Sequence, residues 1–145
     1  MRLSSMADYA VVTMCAAARH CGALSTFGAR VSASDLAAET GLPLPTVQKL
    51  VSTLSKAGLL KAMRGAGGGI QLSRPAAAIT LADIVEAIEG PIALTACVEE
   101  GRHDCGLEAN CGVRPHWAVV NKAMRGALEQ VRLSDLARLK ESVAA

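Results

Sequence analysis

Residues 45–72 read PTVQKLVSTLSKAGLLKAMRGAGGGIQL, and this stretch decides the fold. Pro45 suits the first turn of a helix, where a missing backbone N–H costs nothing. Val47, Leu50, Val51 and Leu54 then recur at helical spacing and leave Thr46, Gln48, Lys49, Thr53 and Lys56 facing outward. Gly58 ends the helix. Two short β-prone runs follow, Leu59–Met63 and Gly69–Leu72, on either side of Arg64-Gly65-Ala66-Gly67-Gly68. A glycine-rich turn between such runs predicts a hairpin. Upstream, Ser5-Met6-Ala7-Asp8 reads as a helix cap with an acid three residues on, and Ser32-Ala33-Ser34-Asp35 repeats the pattern before a stop at Gly41. Three helices and a hairpin, the last two helices parted by the four-residue turn Gly41–Leu44, predict a winged helix-turn-helix. In such a domain the Pro45–Ala57 helix enters the major groove and Arg64–Gly68 forms the wing. The alternative is a winged helix that binds protein rather than nucleic acid.

Charge favours nucleic acid. Net charge is only +2, but residues 1–75 carry eight Lys/Arg against Asp8, Asp35 and Glu39. No acid at all occurs between Glu39 and Asp83. A basic first half and a mildly acidic second half point to a polyanion held at one end of the molecule. With one Trp, one Tyr and one Phe in the chain, base stacking on aromatic platforms is excluded as the main mode, which leaves duplex DNA.

Beyond the wing, Thr80-Leu81-Ala82-Asp83 opens another helix that stops at Gly90. The segment TACVEEGRHDCGLEANCGVRPHW then gathers Cys97, Cys105 and Cys111 among glycines, charges and an asparagine. A structural cysteine prefers an apolar run, whereas thiols on a polar loop can converge on a metal. None of these pairs has the C-x-x-C spacing of zinc ribbons. Wider gaps suit an iron–sulfur cluster, 2Fe–2S or 4Fe–4S; zinc and redox thiols remain open on spacing alone. Pro115 opens the last long periodic segment, with Val120, Met124, Ala127, Leu128 and Val131 on one face. That stripe predicts a two-fold partner helix, hence a homodimer, or else a fold back onto its own subunit. Ser134 is expected to cap a short final helix. The expected organisation is a winged helix-turn-helix at 1–75, a linking helix and cysteine loop at 76–114, and a dimerisation helix with a C-terminal helix at 115–145. The class is mainly α with a small β-hairpin wing.

Other classes recede. Five cysteines cannot all pair as disulfides within one chain. Arg2 is not followed by a sustained apolar leader, and no run approaches the ~20 apolar residues of a membrane span. A reducing cytoplasm and no membrane partner are the expectation. The glycines of the wing lack a following Gly-Lys-Ser/Thr, which argues against a nucleotide loop. No Ser/His/Asp set is evident, and Glu99-Glu100 lies on a charged loop, so neither an enzyme nor a small-molecule substrate is expected. Cys15, in an alanine- and valine-rich helix, reads as core, and Cys21, near that helix's end beside His20 and Gly22, reads as exposed.

MRLSSMADYAVVTM at the start, RGAGGGIQLSRP in the wing and the three-cysteine loop before a helix together resemble the IscR/NsrR-type iron–sulfur transcription regulators. EAIEGPIALTAC, CGLEANC and WAVVNKAMRGALEQVRLSDLA look most like the regulators of SUF-type cluster-assembly genes. The resemblance runs from Met1 to about Ala137. It implies a homodimeric, cluster-binding repressor or dual regulator that reads a palindromic double-stranded operator. Cys97, Cys105 and Cys111 match the cluster thiolates. Pro45, Thr46, Gln48 and Lys49 match the start of the recognition helix, and Arg64 matches the wing arginine. The seven residues between Cys97 and Cys105 make a wider gap than in IscR itself. Arg114 stands where IscR has a histidine ligand, whereas Asp8 matches the aspartate that NsrR supplies from the partner chain's first helix. Asp8, His116, His103 and an exogenous group are the candidates for the fourth position. A zinc- or disulfide-dependent redox or nitric-oxide-responsive regulator on the same scaffold, and a cluster carrier without DNA binding, are the competing readings.

Overall fold

A computed structural model describes residues 1–21, 29–99 and 102–144, without the side chains of 139–144. Its elements run α1 (Ser5–Cys21), α2 (Ala33–Thr40), α3 (Leu44–Lys56), β1 (Leu60–Met63), β2 (Gly69–Leu72), α4 (Leu81–Glu89), α5 (Arg114–Glu129) and α6 (Leu133–Ala144). The chain is mainly helical with one antiparallel hairpin, in which Leu60 pairs Leu72 and Met63 pairs Gly69. Val31 adds a bridge to Ile70, exchanging hydrogen bonds of 2.9 and 2.8 Å, so the wing is braced from the α1–α2 side.

Caps set the helix limits. The Ser32 hydroxyl oxygen accepts from Asp35 N–H (3.0 Å), and Gly41 closes α2 in the left-handed region at φ +75°. Thr80 and Asp83 form a reciprocal capping box: each side chain accepts from the other's backbone N–H, at 3.2 and 2.9 Å. Several boundaries differ from the sequence reading; Ser134, expected to cap the last helix, lies inside α6, which starts at Leu133. Ser4, not Ser5, caps α1, because its Oγ accepts from Ala7 N–H at 3.1 Å. Helix α3 starts at Leu44 after a Pro43 cap, which moves Pro45 inside the first turn and shortens the preceding turn by one residue.

Alanines let α1 lie deep in the core. Ala7, Ala10, Ala16, Ala17 and Ala18 are all buried, with Met14 beside them. From α3, Val47, Leu50, Val51 and Leu54 are buried as their spacing requires. Each such side chain contributes about 1.5–3 kcal/mol on leaving water, an upper estimate given a compact unfolded chain. The last helix joins this same core. Leu133 and Ala137 of α6 are fully buried, and α6 packs against α1. It is led there by Leu133 N–H donating to the Ile79 carbonyl (2.9 Å) and Leu81 N–H donating to the Val131 carbonyl (2.8 Å).

The periodic face of α5 divides in two. Met124 and Leu128, with Val131 just beyond the helix, are half-buried, whereas Val113 just before it, Trp117, Val120 and Ala127 are exposed. Its C-terminal half therefore folds back on its own protomer, and the N-terminal half stands clear. No helix is long and apolar enough to cross a membrane among the described residues.

A clasp joins α1 to α2. Arg19 donates to Glu39 at 2.8 and 2.7 Å, and His20 Nε2 lies 2.6 Å from the other carboxylate oxygen. Burial works against the Glu39 carboxylate, but the Arg19 and His20 hydrogen bonds outweigh it and hold its pKa below the ordinary value. A lowered folded pKa means that stability is present above the unfolded value of about 4.3 and lost as pH falls through the folded one. Glu39→Gln is expected to cost about 1 kcal/mol at neutral pH, with the gap to wild type closing below about pH 4. Urea midpoints across pH check this; a gap that widens on acidification contradicts it.

Candidate functional site

Two regions carry the chemistry. The first is the start of α3 together with the wing. Pro45, Gln48 and Lys49 are exposed on the first turns of α3, and Thr46 is half-buried beside them. Pro43 takes the cap without a side-chain hydrogen bond, so the first backbone N–H groups of α3 have no side-chain cap. A helix start with free N–H groups and a neighbouring lysine suits a phosphate. Lys61 and Arg64 are exposed on the hairpin that follows.

The wing turn has its glycines for geometric reasons. Gly65 and Gly67 sit at φ +87° and +76°, and Gly68 N–H donates to the Gly65 carbonyl at 2.9 Å. A Cβ on Gly68 would overlap the Met63 carbonyl oxygen. The glycine-rich turn expected from the sequence therefore forms, and tight turning demands its glycines. One cation escaped the sequence reading. Arg30 is exposed, and its guanidinium donates to the Gly67 carbonyl from a position far away in sequence. No local pattern marks Arg30, because its partner appears only when Val31 pairs with β2.

The second region is the loop between α4 and α5. Cys97 lies in the single-turn helix Ala96–Val98, and its Sγ is 3.1 Å from the Thr95 hydroxyl. Cys105 and Cys111 flank a second such turn, Glu108–Asn110, with Glu108 N–H donating to the Cys105 carbonyl at 3.1 Å. All three are free and half-buried. At Cys15, half-buried on α1, and at Cys21, buried at its end, burial pushes the thiol above the ordinary pKa, opposed at Cys15 by Arg19. Glu108 pairs with Arg114 at 2.9 Å and with His103 Nδ1 at 3.2 Å, while Arg102 pairs with Glu99 and Asp104. His116 is exposed on the first turn of α5.

Asp8 is exposed on the first turn of α1. That turn is held near α4 by Ser4 N–H donating to Glu89 at 2.8 Å. Among the described residues, no three His, Cys, Asp or Glu side chains converge to hold a metal ion. Glu100, within the loop, lies outside the described residues. The donor chemistry nonetheless fits an iron–sulfur group: three free thiols on one loop, none sealed in apolar surroundings, one already beside a hydroxyl.

A recognition helix, a two-stranded wing and an acid-free basic stretch define a winged-helix DNA-binding regulator. The family model described as Rrf2, iron-dependent transcriptional regulator, matches residues 3–139. The chain belongs to this family, whose members regulate transcription rather than catalyse reactions. Protein aau3 of Rhizobium meliloti (strain 1021) is 31% identical over 99% of this chain and 89% of that protein. The HTH-type transcriptional regulator IscR of Photorhabdus laumondii is 31% identical over 97% of this chain and 82% of its own length. Among solved structures, CymR (YrzC), the global cysteine regulator of B. subtilis, superposes with a TM-score of 0.71 at 29% identity, covering 96% of this chain and 98% of that one.

Proposed function

We propose that this regulator is a homodimeric repressor that reads iron–sulfur cluster status and controls SUF-type cluster-assembly genes. The observation that carries the reading is the loop itself: three free, half-buried thiols lie on one segment, next to a helix whose exposed apolar start calls for a second copy. The family's description as iron-dependent favours iron over zinc. Similarity to IscR supports the same choice, and EAIEGPIALTAC with CGLEANC supports the SUF assignment.

In this reading Cys97, Cys105 and Cys111 lose their protons and supply three thiolate ligands, and Asp8 contributed across the dimer supplies the fourth. A carboxylate in that position makes the group easier to lose than a fourth thiolate would, which suits a sensor. When bound, the group supplies redox- and oxygen-sensitive iron chemistry. The Thr95 hydroxyl donates to the Cys97 sulfur and tempers its charge. Gathering the thiols orders the loop, and that local folding energy shifts how the two recognition helices are held. Pro45, Thr46, Gln48 and Lys49 of α3 then meet the major groove, and Arg64 the minor groove, of each half-site of a palindromic duplex. The cell compartment for this work is the cytoplasm, where DNA and reduced thiols coexist.

The test pairs two measurements on protein purified without oxygen: its visible spectrum with iron content, and selection of binding sites from a random-sequence duplex pool. Sulfur-to-iron charge-transfer bands and a palindromic selected site are the expected result, and the band shape separates 2Fe–2S from 4Fe–4S. A protein that stays colourless after reconstitution but still selects a site is a zinc or disulfide regulator. A coloured protein that selects no site is a cluster carrier.

A further inference from the structure

The start of the cysteine loop is pinned to the fold by an amide in the middle of α5. Asn121 accepts from Leu94 N–H through Oδ1 at 2.9 Å and donates from Nδ2 to the Ile92 carbonyl at 2.9 Å. Both partners are backbone groups of an irregular segment that would otherwise have only water to satisfy them. One turn further along α5, Arg125 donates to both carboxylate oxygens of Glu86 on α4, at 2.8 and 3.2 Å. The same Glu86 accepts from Ile92 N–H at 3.4 Å, and Arg125 also pairs with Glu129. Asn121 and Glu86 thus hold residues 92–94, with Arg125 bracing Glu86, and Cys97 follows three residues later in a turn that packs against α5.

The other side of α4 faces the DNA-binding unit. Ile84 and Val85 are buried, and α4 packs against α1 and against the recognition helix α3. Near its start, Asp83 pairs with Arg74, just past the wing strand β2, at 3.4 Å. A path of direct contacts therefore runs from Cys97 through residues 92–94, Asn121 and Arg125–Glu86 to the helix beneath α3.

We propose that Asn121, with the Arg125–Glu86 pair, is the positioning element through which occupancy of the thiol site changes DNA affinity; this rests on the cluster-sensing reading above. The physical reason is constraint. Drawing Cys97 toward Cys105 and Cys111 pulls on residues 92–94. A free segment would absorb that pull by rotating its backbone. A segment held by Asn121 and Glu86 passes it to the α4–α5 contact instead. Asn121 lies on α5, on neither the cysteine loop nor the recognition helix, so its effect is confined to the link between the two.

The test uses the full chain prepared without oxygen, with cluster and after its removal, on a duplex site selected by whichever form binds. Wild type is expected to show a ratio of affinities between the two forms of about 5–150-fold, the usual range of coupling between sites. Asn121→Ala is expected to keep its iron and charge-transfer bands while that ratio falls toward one. Asn121→Asp keeps the acceptor for Leu94 N–H and loses the donor to Ile92, so an intermediate ratio is expected. If Asn121→Ala weakens both forms equally and leaves the ratio intact, its role is merely structural and the proposal fails. Should Asn121→Ala lose its fold or its iron, Arg125→Gln decides: a reduced ratio at unchanged iron content supports the relay, and an unchanged ratio overturns it. Equal affinity of the two wild-type forms instead defeats the cluster-sensing reading on which the proposal rests.

Discussion

Cys105→Ala is expected to abolish the charge-transfer absorption of anaerobically prepared protein and to leave it with the DNA affinity of the cluster-free form. Cys105 is the middle thiol of the loop, and two remaining thiolates with one carboxylate cannot complete a cluster's ligand set. Losing even a residue that supports a ligand costs about 10–100-fold in metal affinity, so losing a ligand costs more. Cys15→Ala is the matched control. Partial burial against the core raises the pKa of the Cys15 thiol and keeps it protonated, and thiolates are what bind metal. It should therefore lose packing and keep iron. Iron content, visible spectrum and binding to the selected duplex check both variants together. A Cys105→Ala protein with undiminished bands would remove the loop from the site, and with it the proposed sensing mechanism.

Lys49→Ala and Arg64→Ala are expected to act at the opposite end, weakening DNA binding while the bands persist. Lys49 lies on the exposed start of α3 and Arg64 at the entrance to the wing turn, and neither takes part in the cysteine loop. A phosphate contact removed lowers the slope of log affinity against log salt by about 0.9. In a two-fold dimer each substitution removes its contact twice, so the slope should fall by about 1.8 per substitution. Affinity at physiological salt should drop about 10–100-fold for each. Fluorescence anisotropy across a salt series reads both quantities. A slope change near one rather than two would count against a dimer on the operator. An unchanged slope with lower affinity would confine that side chain to base edges, with no phosphate neutralised.

The local elements were largely legible because their causes are local. The spacing of Val47, Leu50, Val51 and Leu54 and the glycines after Arg64 depend only on near neighbours, and both elements formed as expected. The Thr80–Asp83 box is equally local, since both its hydrogen bonds lie within one turn. Errors fell at boundaries decided by single hydrogen bonds. Ser4 and Ser5 are chemically alike, and only the path of the chain into α1 chose Ser4.

The sequence by itself determined the class of domain, the basic face and the three thiols offered to a metal, because periodicity, charge and residue chemistry are written along the chain. Tertiary structure alone decided which distant groups meet. It brought α6 back onto α1 through Leu133, divided the apolar face of α5 between its own protomer and solvent, and set Arg30 against the wing. It also placed Asn121 on the backbone that leads to Cys97. Such pairs join residues tens of positions apart, and an asparagine in a helix carries no sign of its partner. Whether its amide faces water or holds a loop depends on the packing of whole helices, and that exists only once the core has formed.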